Sequence, residues 1–329
     1  MTRFLSILVI FSFLIILAIS SVHADIEDRV EKEFRVNPGG TLTIESDLGS
    51  IQVESVRGKK VVIQVLRTIK AHSRKEADKI LDNFDLEFRR RGNNVSVTGK
   101  WTNKNRFSRM RSRLQLRYKI QVPRRYHVDL QTAGGSILVS DLEGKVRAQT
   151  SGGSLVFGDI TGPVFGRTSG GSITLEGCKG KADIKTSGGS IQIGRVQGSV
   201  TAHTSGGSIR IDQAKGRVEA LTSGGSITVK EVMGAIKAKT SGGSIRAHIT
   251  KQPDGACKLT TSGGSITVYL AANLRLTIDA KTSAGRVKTE LPVEAVGKQK
   301  KSILAGTLNG GGPLLYLRTS GGNIYLKRI

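Results

Sequence analysis

One stretch of this chain gathers the residues best suited to holding an anion. Gly99 to Leu114, "GKWTNKNRFSRMRSRL", carries Lys100, Lys104, Arg106, Arg109, Arg111 and Arg113 with no acid among them, and interleaves Trp101, Phe107 and Met110. Cations mixed with rings suit an anionic membrane surface, where each Lys or Arg contributes about 1 kcal/mol and a ring can enter the interface. The same set suits a phosphorylated glycan. The stretch interrupts a strand pattern, between "VSVTG" and "LQLRYKIQVP". It therefore reads as an exposed loop, the kind of segment on which function concentrates. Lys100, Trp101, Lys104, Arg106, Phe107, Arg109, Arg111 and Arg113 are the candidate binding residues. The competing reading is a solubilising insertion with Trp101 and Phe107 tucked against the adjoining fold.

A second pattern also invites chemistry. "SGGS" recurs along the chain, and successive glycine amides can cradle a phosphate. The Lys-Ser/Thr and following helix of a P-loop are missing. Recurrence at a fixed spacing points to a structural corner instead. None of these turns carries the Asp of the calcium-binding "GGxGxD" motif. His72, His127, His203 and His248 form no HExxH and no Cys/His cluster, so no metal or other cofactor is implied. Asp183, Asp212 and Glu219 fall on different faces of the pattern described below. A glycan-cleaving pair of acids must converge across a cleft, and such short corners offer no long loops to wall one. An envelope-glycan-active enzyme on a β-helix scaffold remains the alternative to a non-catalytic protein, because sites can be grafted on any fold.

The elements that position these residues follow from one periodicity. Thr132, Thr150, Thr168, Thr186, Thr204, Thr222 and Thr240 each open a Thr-Ser-Gly-Gly-Ser corner or its close variant, and successive ones are 18 residues apart. Thr261, Thr282 and Thr319 continue the series at longer intervals. A fixed period of this length means a solenoid, each repeat one coil that cannot bury its apolar face alone. The sixth and eighth positions of each coil are apolar (Ile191 and Ile193, Ile209 and Ile211) and the seventh is mostly polar (Gln192, Arg210). That alternation is a half-buried strand. A second strand runs through Val200 and Ala202, Val218 and Ala220, with a second glycine corner at Gly198 and Gly216. The fold class is all-β: a parallel β-solenoid (β-helix) of about 18-residue coils with an N-terminal α+β cap. The corner glycines are expected to supply positive φ.

Three segments are expected. Residues 1–24 carry Arg3, an apolar run from Phe4 to Ile19, and Val22-His23-Ala24, the layout of a cleaved secretory signal. Residues 25–130 form a cap holding a degenerate first coil around Gly49-Ser50-Ile51 and one helix. Ser73 and Glu76 have capping-box spacing for that helix, and Ala77, Ile80, Leu81 and Phe84 trace one face of it. Residues 131–329 form the solenoid, with "TSGGNIYLKRI" as its closing strand and Lys327 and Arg328 guarding the edge. Cys178 and Cys257 occupy core slots about four coils apart, too far to bridge at a coil spacing of about 4.8 Å.

Charge bounds the partners. The chain has 51 Lys and Arg against 26 Asp and Glu, a net charge of +25, and only 5% aromatic residues. Arg147, Arg167, Lys185, Arg210, Lys237, Lys239, Arg246 and Lys258 fall on outward positions and run charge along the rod. Such a surface favours anionic partners. An export signal turns attention to envelope glycans, lipid headgroups or a cell surface, and few stacking aromatics disfavour nucleic acid. No other apolar run could span a membrane once the signal is removed. The chain is expected to be exported, whether periplasmic, cell-surface or secreted.

The opening "FRVNPGGTLTIESDLGSIQV", the "YKIQVP" strand, the iterated "TSGGSI" and the closing "GTLNGGGPLLYLRTSGGNIYL" resemble the putative-adhesin family of bacterial β-strand-repeat proteins. The resemblance covers nearly the whole chain after the signal. It implies an exported or envelope-associated β-solenoid with a proposed role in adhesion, and it brings no catalytic residue.

Overall fold

The computed structural model describes residues 25–102, 112–297 and 300–329. Two sheets of 15 strands each run the length of the molecule. Between Leu155 and Ile249 every coil gives one strand to each sheet, paired in parallel with the coils before and after it. Register follows the repeat: Ile173, Ile191, Ile209 and Ile227 are successive Cα partners, as are Ala182, Val200, Val218 and Ile236 in the other sheet. All eight are buried. In-register stacking pairs each backbone group with a neighbouring coil and lines identical positions into columns. The chain is a β-solenoid.

The corners stack by a different device from the one expected. Among the described residues no glycine of a Thr-Ser-Gly-Gly-Ser corner has positive φ. What the second glycine provides is room. A Cβ on Gly189 would stand 2.2 Å from the carbonyl oxygen of Gly171, and one on Gly207 would stand 2.2 Å from that of Gly189. No side chain fits between corners that approach so closely. The threonines then cross-link the stack: the buried Thr204 hydroxyl donates to the Gly189 carbonyl over 2.8 Å, and the same bond recurs at Thr186 and Thr222. Ser208 N donates to Ser190 Oγ at 3.2 Å. Cys178 lies between Ile160 and Val196 in one core column, Cys257 beside Leu315 in another, and both thiols are free and buried.

The N-terminal end is built from seven strands and a helix: β1 (Ile26–Arg35), β2 (Thr41–Ser46), β3 (Ser50–Val56), β4 (Lys60–Ile69), α1 (Arg74–Leu81), β5 (Phe84–Arg91), β6 (Asn94–Trp101) and β7 (Leu114–Pro123). β2 and β3 form a coil stacked in parallel on the strands His127–Thr132 and Ile137–Val139. β6 and β7 form a further coil on the other side of β2 and β3. β4 and β1 then extend one sheet antiparallel, and β5 closes the other. Reversing strand direction covers edges that a bare coil would leave open. Ser73 caps α1, accepting from Glu76 N, while the Glu76 carboxylate accepts from His72 N. Ala77 and Ile80 face the core, but Phe84 belongs to β5, because the helix ends at Leu81.

The C-terminal end departs from the expected order. Strand Ile324–Arg328 is not an edge: it lies between Ile266–Leu270 and Val287–Thr289. Leu314–Thr319 likewise lies between Cys257–Thr260 and Leu276–Thr282. The last coil in sequence is therefore next to last in space. The corner column confirms it, since a Cβ on Gly322 would meet the Gly264 carbonyl at 2.2 Å and one on Gly285 would meet that of Gly322 at 2.1 Å. The antiparallel strand Ile303–Leu308 closes this end against Leu276–Thr282. The corners at 282–286 (TSAGR) and 319–323 (TSGGN) are close variants of the same motif, and the motif's recurrence alone does not assign their order. No helix among the described residues is long and apolar enough to cross a membrane.

Candidate anion-binding site

Lys104, Arg106, Phe107, Arg109 and Arg111 lie outside the described residues. The described residues on either side of them lie on β6 and next to β7, which stack on β2 and β3. Trp101 is 5% exposed, its ring edge-on to Phe84 with centroids 5.3 Å apart, and its backbone N donates to the Asp47 carboxylate. Lys100 pairs with Glu45 at 2.9 Å. Arg113 pairs with Glu76 at 2.8 Å and donates to the Lys70 carbonyl, and this partner holds the Glu76 carboxyl down at about 2. Of the described candidates, one ring lies in the core and two cations stand in ion pairs.

The opposite corner of the cap holds a site that pattern reading missed. Three turns converge there: the segment after β1, the β3–β4 turn and the β5–β6 turn. They enclose a cleft of about 810 Å³ lined by Arg35, Arg57, Lys59, Lys60 and Arg90, with no Asp or Glu on its walls. Half-buried Val56 and Val62 and the side of Gln121 complete the lining. The walls are tied together through Asn93. Its side-chain oxygen accepts from Asn37 N at 3.0 Å, and its carbonyl accepts from the buried Tyr126 hydroxyl. A Cβ on Gly40 would meet that same Asn93 carbonyl at 2.0 Å, so the two turns touch backbone to backbone. Lys59 O also accepts from Val36 N at 2.9 Å. All five cations are exposed. Lys60 pairs with Glu33 at 2.7 Å, and among the described residues Arg35, Arg57, Lys59 and Arg90 make no ion pair. A signal was present in the sequence: "RGKK" at residues 57–60 and "RRRG" at residues 89–92 are turn-forming basic clusters. Their convergence was not legible.

The rod's outward cations behave differently. Arg167 pairs with Asp183 of the next coil at 2.7 Å, Lys237 with Glu219 at 2.8 Å, and Arg210 with Asp212 at 3.1 Å. Arg147 lies 3.8 Å from Asp129 and 5.5 Å from the Phe165 ring, and Lys258 sits over the Tyr316 ring at 5.2 Å. His203 lies 4.0 Å from Glu219. Burial, then Lys185, pulls the imidazole below its usual range, and the Lys237 hydrogen bond holds Glu219 below the carboxylate range. A general acid needs the opposite shift. Among the described residues no group of three or more His, Cys, Asp and Glu could hold a metal ion.

Solved structures similar to the chain include a putative adhesin from Bacteroides fragilis (13% identity, 92% of this chain and 97% of that one covered, TM-score 0.38). Another is a putative adhesin from Parabacteroides merdae (12% identity, 92% and 96% covered, TM-score 0.35). A third is a putative lipid binding protein from Parabacteroides distasonis (14% identity, 91% and 96% covered, TM-score 0.33). No curated protein matches the chain. The family model Toastrack DUF4097 matches residues 22–327, nearly the whole length, and the chain belongs to that family.

Proposed function

We propose that this protein is a non-catalytic, exported module of the cell envelope that binds anionic surfaces, in the manner of an adhesin. One observation carries the reading: a cleft in the cap is walled by five cations and no carboxylate, on a chain whose net charge is +25. Clefts lined by one sign of charge focus the field and raise the local concentration of the opposite ion. The signal-like residues 1–24 support export. The basic segment from Lys100 to Arg113 is a second candidate contact by composition alone. The partners are anionic glycans, lipid headgroups or a cell surface, with no cofactor required.

Co-sedimentation of the purified protein with anionic and neutral vesicles, and with purified envelope glycans, tests this at low and high salt. Binding to the anionic partners that weakens steeply as salt rises is expected. Equal capture by neutral and anionic vesicles, or binding indifferent to salt, would refute it.

A further inference from the structure

The cap's cleft carries a charge arrangement that stability does not require. Arg35 and Lys60 are direct partners on the antiparallel strands β1 and β4, and like charges placed opposite each other destabilise a strand pair. Glu33 relieves only Lys60. Arg57 and Lys59 flank Gly58 in the β3–β4 turn, and Arg90 arrives from the end of β5. An anion among these groups would offset their mutual repulsion.

We propose that the cleft binds a compact phosphate-bearing ligand, a phosphorylated sugar or a lipid headgroup carrying two or more negative charges. The inference rests on the anionic-surface reading above and narrows it. Four cations without ion-pair partners surround the space, and one carboxylate or phosphodiester would neutralise a single one of them. A phosphomonoester carries about −1.5 to −2, so two phosphates or a diphosphate match the set. Three of the five cations are arginines, whose planar forks fit phosphate oxygens in pairs. Gln121 and the Asn93 side chain present neutral polar groups beside them, suited to hydroxyls. The volume, about 810 Å³, is that of a small-molecule site.

The ligand's compactness follows from what lies next door. Arg57 is shared with an adjoining groove along the second corner, where Glu54, Asp141, Glu143 and Asp159 line the wall. Glu143 takes Arg124 at 2.9 Å, and Asp141 accepts from Asp159 N. The sign of the surface therefore reverses one coil beyond the cleft. A long polyanion lying along the rod would run into those carboxylates, whereas a headgroup confined to the cleft would not.

Equilibrium binding of inorganic pyrophosphate to the purified full chain tests the site, with citrate as a carboxylate anion of similar charge. Pyrophosphate is expected to bind at least about tenfold more tightly than citrate. An Arg57→Ser, Arg90→Ser double variant should lose about tenfold or more in that affinity. Its thermal transition should stay unchanged, because both side chains are exposed. Lys237→Ser on the rod should bind like the parent. Vesicles containing phosphatidic acid, compared with phosphatidylglycerol vesicles of equal surface charge, separate the sources. A preference for phosphatidic acid assigns a lipid headgroup, and pyrophosphate binding without that preference assigns a soluble phosphorylated ligand. Citrate binding as tightly as pyrophosphate, or an unaffected double variant, overturns the proposal. So does competition by a long oligonucleotide stronger than that by pyrophosphate. If neither pyrophosphate nor phosphatidic acid is preferred but salt-sensitive binding to phosphatidylglycerol persists, the phosphate site falls and the broader reading stands.

Discussion

The repeat coils and the N-terminal cap share two sheets and one continuous core and both carry ion pairs, yet among the described residues only at one corner of the cap do turns distant in sequence bring cations together around a cleft. On the rod, stacking brings a cation of one coil beside a carboxylate of the next, as in Arg167–Asp183 and Lys237–Glu219. In the cap, Arg35, Arg57, Lys59 and Arg90 face a common space with no such partner among the described residues. The difference follows from constraint. A position inside the stack faces the same position one coil above and below, so each charge meets a fixed neighbour, Asp183 beside Arg167 but also Lys258 stacked on Lys237. The turns of the cap answer to no repeat and gather like charges from three separate segments.

The largest effect is expected in the rod's core. Ile209→Asp should cost more than about 4 kcal/mol, because a carboxylate would be buried without a partner in a column of isoleucines. Arg210→Ser, on the next residue and the outer face, should change the unfolding midpoint little. Equal effects in denaturant titrations would show that the coil register is wrong.

The corner comes next. Gly135→Ala should cost about 1–3 kcal/mol through overpacking, since its Cβ would stand 2.1 Å from the Gly49 carbonyl. The adjacent Gly134→Ala, with nothing within 4 Å of its Cβ, should be neutral or slightly stabilising. Thermal melts of the two variants separate crowding from any demand for an unusual backbone. A smaller effect is expected at the cross-link: Thr204→Val removes the donor to the Gly189 carbonyl and should cost about 1 kcal/mol.

The smallest effect belongs to the cap and to pH. Glu76 is held at about 2 by Arg113, then by the His72 amide, below its ordinary value of 4.5. Its contribution to stability is therefore present above the unfolded value and is lost as pH falls towards 2. An NMR titration should find the Glu76 midpoint depressed in the parent and moved up in Arg113→Ser. An unshifted midpoint in the parent would mean that Arg113 is free of this pair.

Much of the architecture was legible because a solenoid's contacts are its repeat. Each residue's neighbours lie one period away, so the in-out-in alternation of Ile191, Gln192 and Ile193 identified both the strand and its partners. The slots of Cys178 and Cys257, and the cap of α1 at Ser73, followed from equally local rules. The reason for the corner glycines was not legible, because positive φ and close approach both select glycine and only coordinates distinguish them. For Trp101 the competing reading, a ring tucked against the adjoining fold, is the one that holds, but its partner Phe84, on the far strand of a hairpin, was not legible.

By itself, then, the sequence determined the coil, its inward and outward faces and its excess of positive charge, since these depend on spacing along the chain. Two things were decided only in three dimensions. The coil holding Leu314–Thr319 and Ile324–Arg328 slots between two earlier ones, and that choice of edge rests on the whole end of the rod. The cationic cleft exists because antiparallel pairing in the cap folds three turns, distant in sequence, onto the Asn93 hydrogen bonds. A repeat specifies its own neighbours, but what converges where the repeat stops is set by the tertiary fold.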